Sequence, residues 1–328
     1  MENQNEIGGT PRVSFVLAAF KRRFLAEAIE SILSQTYRNF ELVVVDDCSP
    51  ENLQEVVDQY GDPRLSYHRN ETNLGRHSLI GAWNHAMSYA RGEWSLIASD
   101  DDIYLPTFLE RLLELSERYP DCELLHGRCA TIDGTGRWTG LAEERFEFET
   151  QLQMLYARGV GRALQQAPDF MFKTDAYRRL GGFVDFPLAW FSDDATWLAL
   201  AARGCAHSQE VLFCFRQSGI NISTAHDRNI AEKIRAGELY KKWALELCSR
   251  IKPNTEAERR MLELAVERVP QIVDDMAIHA MKGARGFFAW LGTLRRLEVS
   301  SALKHRMIGE RYPVIRWLKN AIIGKDDR

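Results

Sequence analysis

Apolar runs alternate with amphipathic stretches along the first hundred residues. "VSFVLAAF" (13–20) is almost continuously apolar, as a central parallel strand covered on both faces has to be. "FLAEAIESILSQT" (24–36) then spaces Leu25, Ala28, Ile29, Ile32 and Leu33 at helical intervals. "FELVVVDDCSP" (40–50) predicts a second buried strand ending in carboxylates, and "NLQEVVDQYG" (52–61) a helix closed by Gly61. "RLSYHRN" (64–70) alternates like a strand, and "LIGAWNHAMSYARG" (79–92) reads as a helix stopped by Gly92. "EWSLIAS" reads as a further buried strand that leads into three consecutive carboxylates. Strand and helix alternate four times, which predicts an α/β fold with a mostly parallel central sheet flanked by helices.

After residue 120 the pattern loosens. "CELLHGRCATID" (122–133) predicts a strand that turns at Asp133-Gly134, and the chain is then polar and poorly periodic to about residue 168. "FMFKTDAYRRLGGF" (170–183) predicts a short strand, a short helix capped near Thr174 and a Gly-Gly turn. "FSDDATWLALAARG" (191–204) predicts a helix starting at Ser192. Beyond that, helical periods cover about 226–250, 255–282, 284–304 and 312–323. The expected division is an α/β region, residues 1–225, and a helical C-terminal extension, residues 226–328, with no internal repeat.

Composition adds limits to this picture. A chain of 328 residues, 45% apolar and 27% charged, is ordinary globular material. No stretch approaches ~18 uninterrupted apolar residues, and the N-terminus is polar, so neither a spanning helix nor a secretory signal is expected. Six cysteines without a CxxC pair read as reduced thiols, and the cytoplasm is the expected address. Residues 1–225 hold 21 Lys/Arg against 32 Asp/Glu, a balance of −11; residues 226–328 hold 21 against 14, a balance of +7 that lies wholly after residue 278. An acidic body excludes nucleic acid as a partner. The basic tail suits an anionic membrane surface or is simply a solvated face.

The candidate chemistry sits where the strands end. The strands finishing near Val45 and Ala98 run into Asp46-Asp47 and Asp100-Asp101-Asp102. Adjacent carboxylates repel, so something positive belongs among them. Ligands of open α/β sheets bind beyond the carboxyl ends of the strands. A phosphate-bearing substrate with Mg²⁺ or Mn²⁺ meets both demands, because hard cations take carboxylate and phosphate oxygens together. Helix capping is the plainer alternative. Neither GxGxxG nor GxxxxGK[ST] occurs, which removes the usual dinucleotide and P-loop readings. Asp193 and Asp194 open a helix, where acids suit the dipole. Beside Trp190 and Phe191 they are also candidates for a general base, since an apolar setting raises a carboxylate's pKa.

Taken in order, "VSFVLAAFKR", "AIESILSQTYRNFELVVVDDCS", "NLGRHSLIGAWNHAMSYARGEW", "SDDDIYLP", "FMFKTDAYRRLGGF" and "SDDATWLALAARG" resemble the family 2 glycosyltransferases of the GT-A fold, over about residues 11–225. The resemblance implies an inverting transferase using a nucleotide-sugar donor and a divalent metal. Asp47 then matches the residue that binds the nucleotide base, favouring a UDP- or dTDP-sugar, with backbone near Ala18 and Phe20 lining the same pocket. Asp100, Asp101 and Asp102 match the DxD-type metal site with the register open: Asp100 at ribose and Asp101 or Asp102 on metal is one arrangement. Arg76 matches a loop that approaches the diphosphate, Asp194 the catalytic base and Asp193 the acid before it. Trp190, Phe191 and Trp197 are candidate platforms for the acceptor sugar.

Three departures qualify the match. The first strand ends Ala-Ala-Phe-Lys where the family favours Pro-Thr-Tyr-Asn. "FRQSGINIS" has Ser218 where many members carry His, so His226 or no group would replace it. The Gln-x-x-Arg-Trp signature of processive synthases is absent, "PVIRW" (313–317) having Pro313 at the Gln position, which favours single addition. The expected acceptor is a glycan or lipid-linked saccharide in surface polysaccharide assembly. The basic tail, with Phe287, Trp290, Leu291 and Leu294 on one face of 284–297, would suit a peripheral site on the inner leaflet or packing within the protein. A catalytically silent nucleotide-sugar scaffold is the rival reading; a nucleotidyltransferase would need a Gly-rich first loop, which is missing.

Overall fold

The computed structural model describes residues 9–161, 164–217, 229–282 and 287–311. Its sheet is built outward from β1 (Val13–Ala19), which pairs in parallel with β2 (Phe40–Asp46) on one side and β4 (Trp94–Ser99) on the other; β3 (Leu65–Arg69) continues beyond β2. In that register Ala18 lies opposite both Val45 and Ser99, so three strands end at one level and their following loops share one edge. The apolar runs of β1 and β2 follow from burial on both faces, Phe15, Leu17, Leu42 and Val44 entering one core cluster and Val16, Val43 and Val45 another.

Helices α1 (Leu25–Leu33), α2 (Gln54–Val57) and α3 (Leu79–Met87) join these strands. The helix expected over 52–61 is a single turn, and that over 79–92 ends five residues early. Gly92 does not cap it. A Cβ there would meet Val13 C and Ser14 N at 2.8 Å, so glycine is required for the close approach to β1.

The far half of the sheet uses β5 (Ile103–Tyr104), β6 (Leu124–Asp133), β7 (Trp138–Leu141), β8 (Phe148–Glu149), β9 (Phe170–Lys173) and β10 (Cys205–Gln217), with α4 (Phe108–Arg118), α5 (Gln151–Gly159), α6 (Thr174–Leu180) and α7 (Ser192–Leu200) between them. β9 lies antiparallel between β4 and β6, and β10 runs parallel to β6, so the sheet is mixed beyond its parallel first four strands. The α/β class is as expected. β10 and α5 are additions to the sequence reading; the polar Ser208-Gln209-Glu210 sits at the register shift between His207 and Val211 and hides the strand's alternation.

The C-terminal helices are α8 (Ile230–Arg250), α9 (Glu256–Lys282), α10 (Phe287–Arg296) and α11 (Ser301–Arg311). Ala236, Tyr240 and Ala244 of α8, with Ala265, Val269 and Val273 of α9, share one apolar cluster with Val43, Ile97 and Trp197. The helix expected over 284–304 breaks at 297–300, and 312–323 lies outside the described residues. Trp290 and Leu294 are buried among Ile278, Met281, Leu303 and Met307. Three of the apolar residues that the sequence offered to a membrane, Trp290, Leu291 and Leu294, therefore pack against the protein's own helices. No helix of the described residues is long and apolar enough to cross a membrane, and all six cysteines are free thiols.

Candidate active site

The loop after β2 divides the work of its two acids. Asp46 is buried, its Oδ1 accepting Ser49 N–H at 2.7 Å and its Oδ2 accepting the Tyr67 hydroxyl and the Arg69 guanidinium. Asp47 is half-buried and gathers the 70–76 loop. Its Oδ1 accepts Asn70 Nδ2 and Leu74 N, both at 2.8 Å, and its Oδ2 accepts Gly75 N at 2.7 Å. A Cβ on Gly75 would lie 2.9 Å from that oxygen. Three of about four acceptor positions on the carboxylate are thus taken. Arg76, at the end of this loop, is exposed.

The loops after β1 and β4 interlock. Asp100 Oδ2 accepts the backbone N–H groups of Phe20 (2.8 Å) and Lys21 (2.6 Å), and Ser49 Oγ donates to Phe20 O at 2.6 Å. Ala18, Phe20, Asp47, Asp100 and Asp101 therefore meet at one sheet edge. Lys21 Nζ lies 2.6 Å from Asp101 Oδ2 and 3.1 Å from Asp100 Oδ1. Burial opposes the ammonium charge, but Asp100 and Asp101 outweigh it and leave the Lys21 pKa raised.

Asp102 plays a different part. It is 1% exposed, its Oδ1 accepts Arg216 N–H at 2.8 Å, and burial followed by the charge of Asp101 drives its pKa well up. Its Oδ2 is buried without a hydrogen-bond partner among the described residues. Arg216 also donates to Asp101 O and pairs with Glu27, binding the end of β10 to this edge.

Among the described residues no three His, Cys, Asp or Glu side chains form a metal cage by themselves. The donor set still fits a hard divalent cation. Two carboxylate oxygens already converge on one positive charge, and Mg²⁺-type sites take one or two carboxylates with substrate phosphate and water completing the shell.

The second acidic centre opens α7. Leu188, Ala189 and Phe191 all have left-handed backbone (φ 61, 57 and 65), a strained entry for non-glycine residues. It is held by Phe191 stacking on Tyr240 (centroids 4.6 Å apart), by Phe186 N–H to Ser192 Oγ (3.0 Å) and by Val184 N–H to Thr196 Oγ1 (2.9 Å). Asp194 is buried and clasped by Arg158: Nε lies 2.7 Å from Oδ1, and Nη2 donates to Oδ2 at 2.8 Å. Gln165 Nε2 adds a third bond to Oδ1 at 2.9 Å, and Gln165 in turn accepts from Arg145, which pairs with Glu149. Asp193 is half-buried; burial first, and the charge of Asp194 next, push its pKa up to about 7 against the stabilising helix N-terminus.

The two centres are joined by one segment. Tyr104, two residues past Asp102, donates its buried hydroxyl to Pro168 O at 2.8 Å, and Gln165 lies three residues before that proline.

Two of the three aromatic platforms need correction. Trp197 is fully buried, stacked on Phe170 (4.9 Å) and packed against Phe172 and Phe183, so it belongs to the core. Phe191 is 7% exposed and stacked on Tyr240. Rings on several sides enclose Trp197, which is why it cannot meet a sugar. Trp190 is half-buried with Lys233 Nζ 4.7 Å from its ring centroid, and borders a cavity of about 220 Å³ beside Gly237, Met276 and His279.

Sequence reasoning missed Lys21 as the cation of the acidic cluster, although "AAFKRRF" shows a basic loop. It also missed Arg158 and Gln165, which fall in the stretch without period, and Arg216 inside the unrecognised strand. Ser218, His226 and "PVIRW" lie outside the described residues.

Parallel strands with acids at their carboxyl ends, and a second acid pair on a nearby helix, make up the candidate site. The family model for glycosyl transferase family 2 matches residues 14–180, and the chain belongs to that family. It is 35% identical over 131 residues to the uncharacterized glycosyltransferase MJ1057 of Methanocaldococcus jannaschii, covering 38% of this chain and 44% of that one. It is 35% identical over 116 residues to the succinoglycan biosynthesis protein ExoO of Rhizobium meliloti, covering 35% and 32%. The match thus spans less than half of either relative. Among solved structures, S. aureus TarS 1–349 in complex with UDP-GlcNAc has a TM-score of 0.63 at 15% identity, over 92% of this chain and 87% of that one. The mannosyltransferase PcManGT from Pyrobaculum calidifontis, in complex with GDP-Man and Mn²⁺, has 0.54 at 17% identity, over 96% and 88%. These two likenesses establish the shared fold.

Proposed function

We propose that this protein moves a sugar from a nucleoside-diphosphate donor, a UDP-sugar foremost, to a hydroxyl of a glycan or lipid-linked saccharide, inverting the anomeric centre. The observation that carries this reading is the meeting of Asp47, Asp100 and Asp101 at one sheet edge, joined through Tyr104, Pro168 and Gln165 to the acid pair on α7. Asp47 favours a pyrimidine through its remaining acceptor position, and Phe20 and Ala18 line the base pocket. Asp100 and Asp101 would hold Mn²⁺ or Mg²⁺, which supplies Lewis-acid stabilisation of the departing diphosphate. The Mn²⁺ present with PcManGT supports that choice.

Asp194, held in orientation by Arg158 and Gln165, takes the proton of the acceptor hydroxyl. The oxygen forms its bond to the anomeric carbon as the bond to the diphosphate breaks on the opposite face, so an α-linked donor gives a β-glycoside. Trp190, beside the acid pair, is the remaining aromatic candidate at the acceptor. The name of ExoO supports an acceptor in polysaccharide assembly. Contact with an anionic leaflet would rest on charge, Arg295 and Arg296 being exposed while Trp290, Leu291 and Leu294 of α10 are packed.

Thermal unfolding with UDP, dTDP, GDP and ADP, each with and without Mn²⁺, tests the donor side. A ligand at ~100 times its dissociation constant adds ~2.7 kcal/mol of stability. A shift with UDP or dTDP that requires Mn²⁺ is the expected result. No shift with any nucleotide would favour a silent scaffold, and a purine preference would overturn the role given to Asp47.

A further inference from the structure

The acidic cluster after β4 already contains a cation. Asp100 and Asp101 side chains, each 5% exposed, direct one oxygen apiece at Lys21 Nζ, while the lysine side chain is 31% exposed. The turn after β1 fixes this arrangement, because the N–H groups of Phe20 and Lys21 hold the other oxygen of Asp100. The neighbouring guanidinium, Arg216, is differently employed, bonded to Asp101 O and Glu27.

The geometry points to Lys21 as the resident counter-cation of the cluster, which a divalent metal must displace in order to bind. The inference rests on the metal reading of Asp100 and Asp101 and adds the residue that sets its affinity. Two cations cannot share the same two carboxylate oxygens without strong repulsion in a poorly solvated site. A lysine is suited to such exchange: it is a point charge on a flexible stem, whereas an arginine fork would fix both carboxylates in plane. Its partial exposure gives the ammonium a way out to solvent. Lys21 thus offsets part of the cluster's negative charge without metal and makes metal entry a replacement of one cation by another.

Mn²⁺ binding to the full chain, followed by the electron paramagnetic resonance of free Mn²⁺, tests this without any transfer assay. Lys21→Met keeps the apolar stem and removes the charge; it should bind Mn²⁺ at least about tenfold more tightly than the wild type. Equal or weaker binding by the variant would overturn the inference. So would a failure of both proteins to bind Mn²⁺ with UDP present, and sugar transfer persisting in that case would leave the transferase reading intact. Should Lys21→Met not fold, the wild type supplies a second readout: Mg²⁺ titration should shift the Lys21 Nζ resonance to a solvent-exposed value. A Lys21 resonance unmoved while Mg²⁺ binds would count against displacement.

Discussion

Asp193 and Asp194 are adjacent in sequence, yet their surroundings differ. Arg158 and Gln165 occupy Asp194, whereas Asp193 is left half-buried with a pKa near 7. An unfolded aspartate titrates near ~3.9, so the native state holds an extra proton on Asp193 between about pH 4 and 7. The stability this proton contributes is present at low pH and is lost as pH rises through about 7. Asp193→Asn should therefore flatten the fall in stability between pH 5 and pH 8, read by urea denaturation; an unchanged pH dependence would contradict the assignment. Asp194→Asn should lower transfer by ~10²–10⁴ while leaving donor binding intact, as loss of a general base does. Transfer surviving in that variant would remove Asp194 as the base. The sequence displayed both acids but not this difference, because Arg158 stands 36 residues away along the chain.

At the scale of elements, α7 shows how one helix can carry both core residues and candidate site residues. Its first turn carries the acids, and its inward face places Ala195, Trp197 and Leu198 in the core. Trp197→Ala should cost ~3–5 kcal/mol of stability, the range for truncating a buried aromatic. Trp190→Ala should cost far less and act on the acceptor KM. Comparing unfolding midpoints with acceptor kinetics separates the two, and a stable Trp197→Ala protein with impaired acceptor binding would restore that residue to the site. Strands β1, β2 and β4 were legible because burial on both faces demands continuous apolar residues. α5 and β10 were not, because each combines a modest apolar face with polar residues that only tertiary partners satisfy.

For the whole molecule, the C-terminal helices complete the core. Tyr240 covers Phe191 at the entry to α7, and Val269 and Val273 join the cluster that contains Trp197. A chain ending at residue 225 would expose these apolar surfaces to water. It should lack a cooperative thermal transition in calorimetry, while the full chain shows one. A sharp transition in the truncated chain would instead make residues 1–225 an independent unit.

The sequence by itself determined the α/β class, the strand ends that bear the acids and the family, since these rest on local period and short motifs. It also limited the cysteines to free thiols. Tertiary structure alone decided which acids are buried, which cation pairs with them and which aromatics are core. Those outcomes depend on pairings between distant residues, Lys21 with Asp101, Arg158 with Asp194 and Phe191 with Tyr240, whose energies appear only once burial has removed water from both partners.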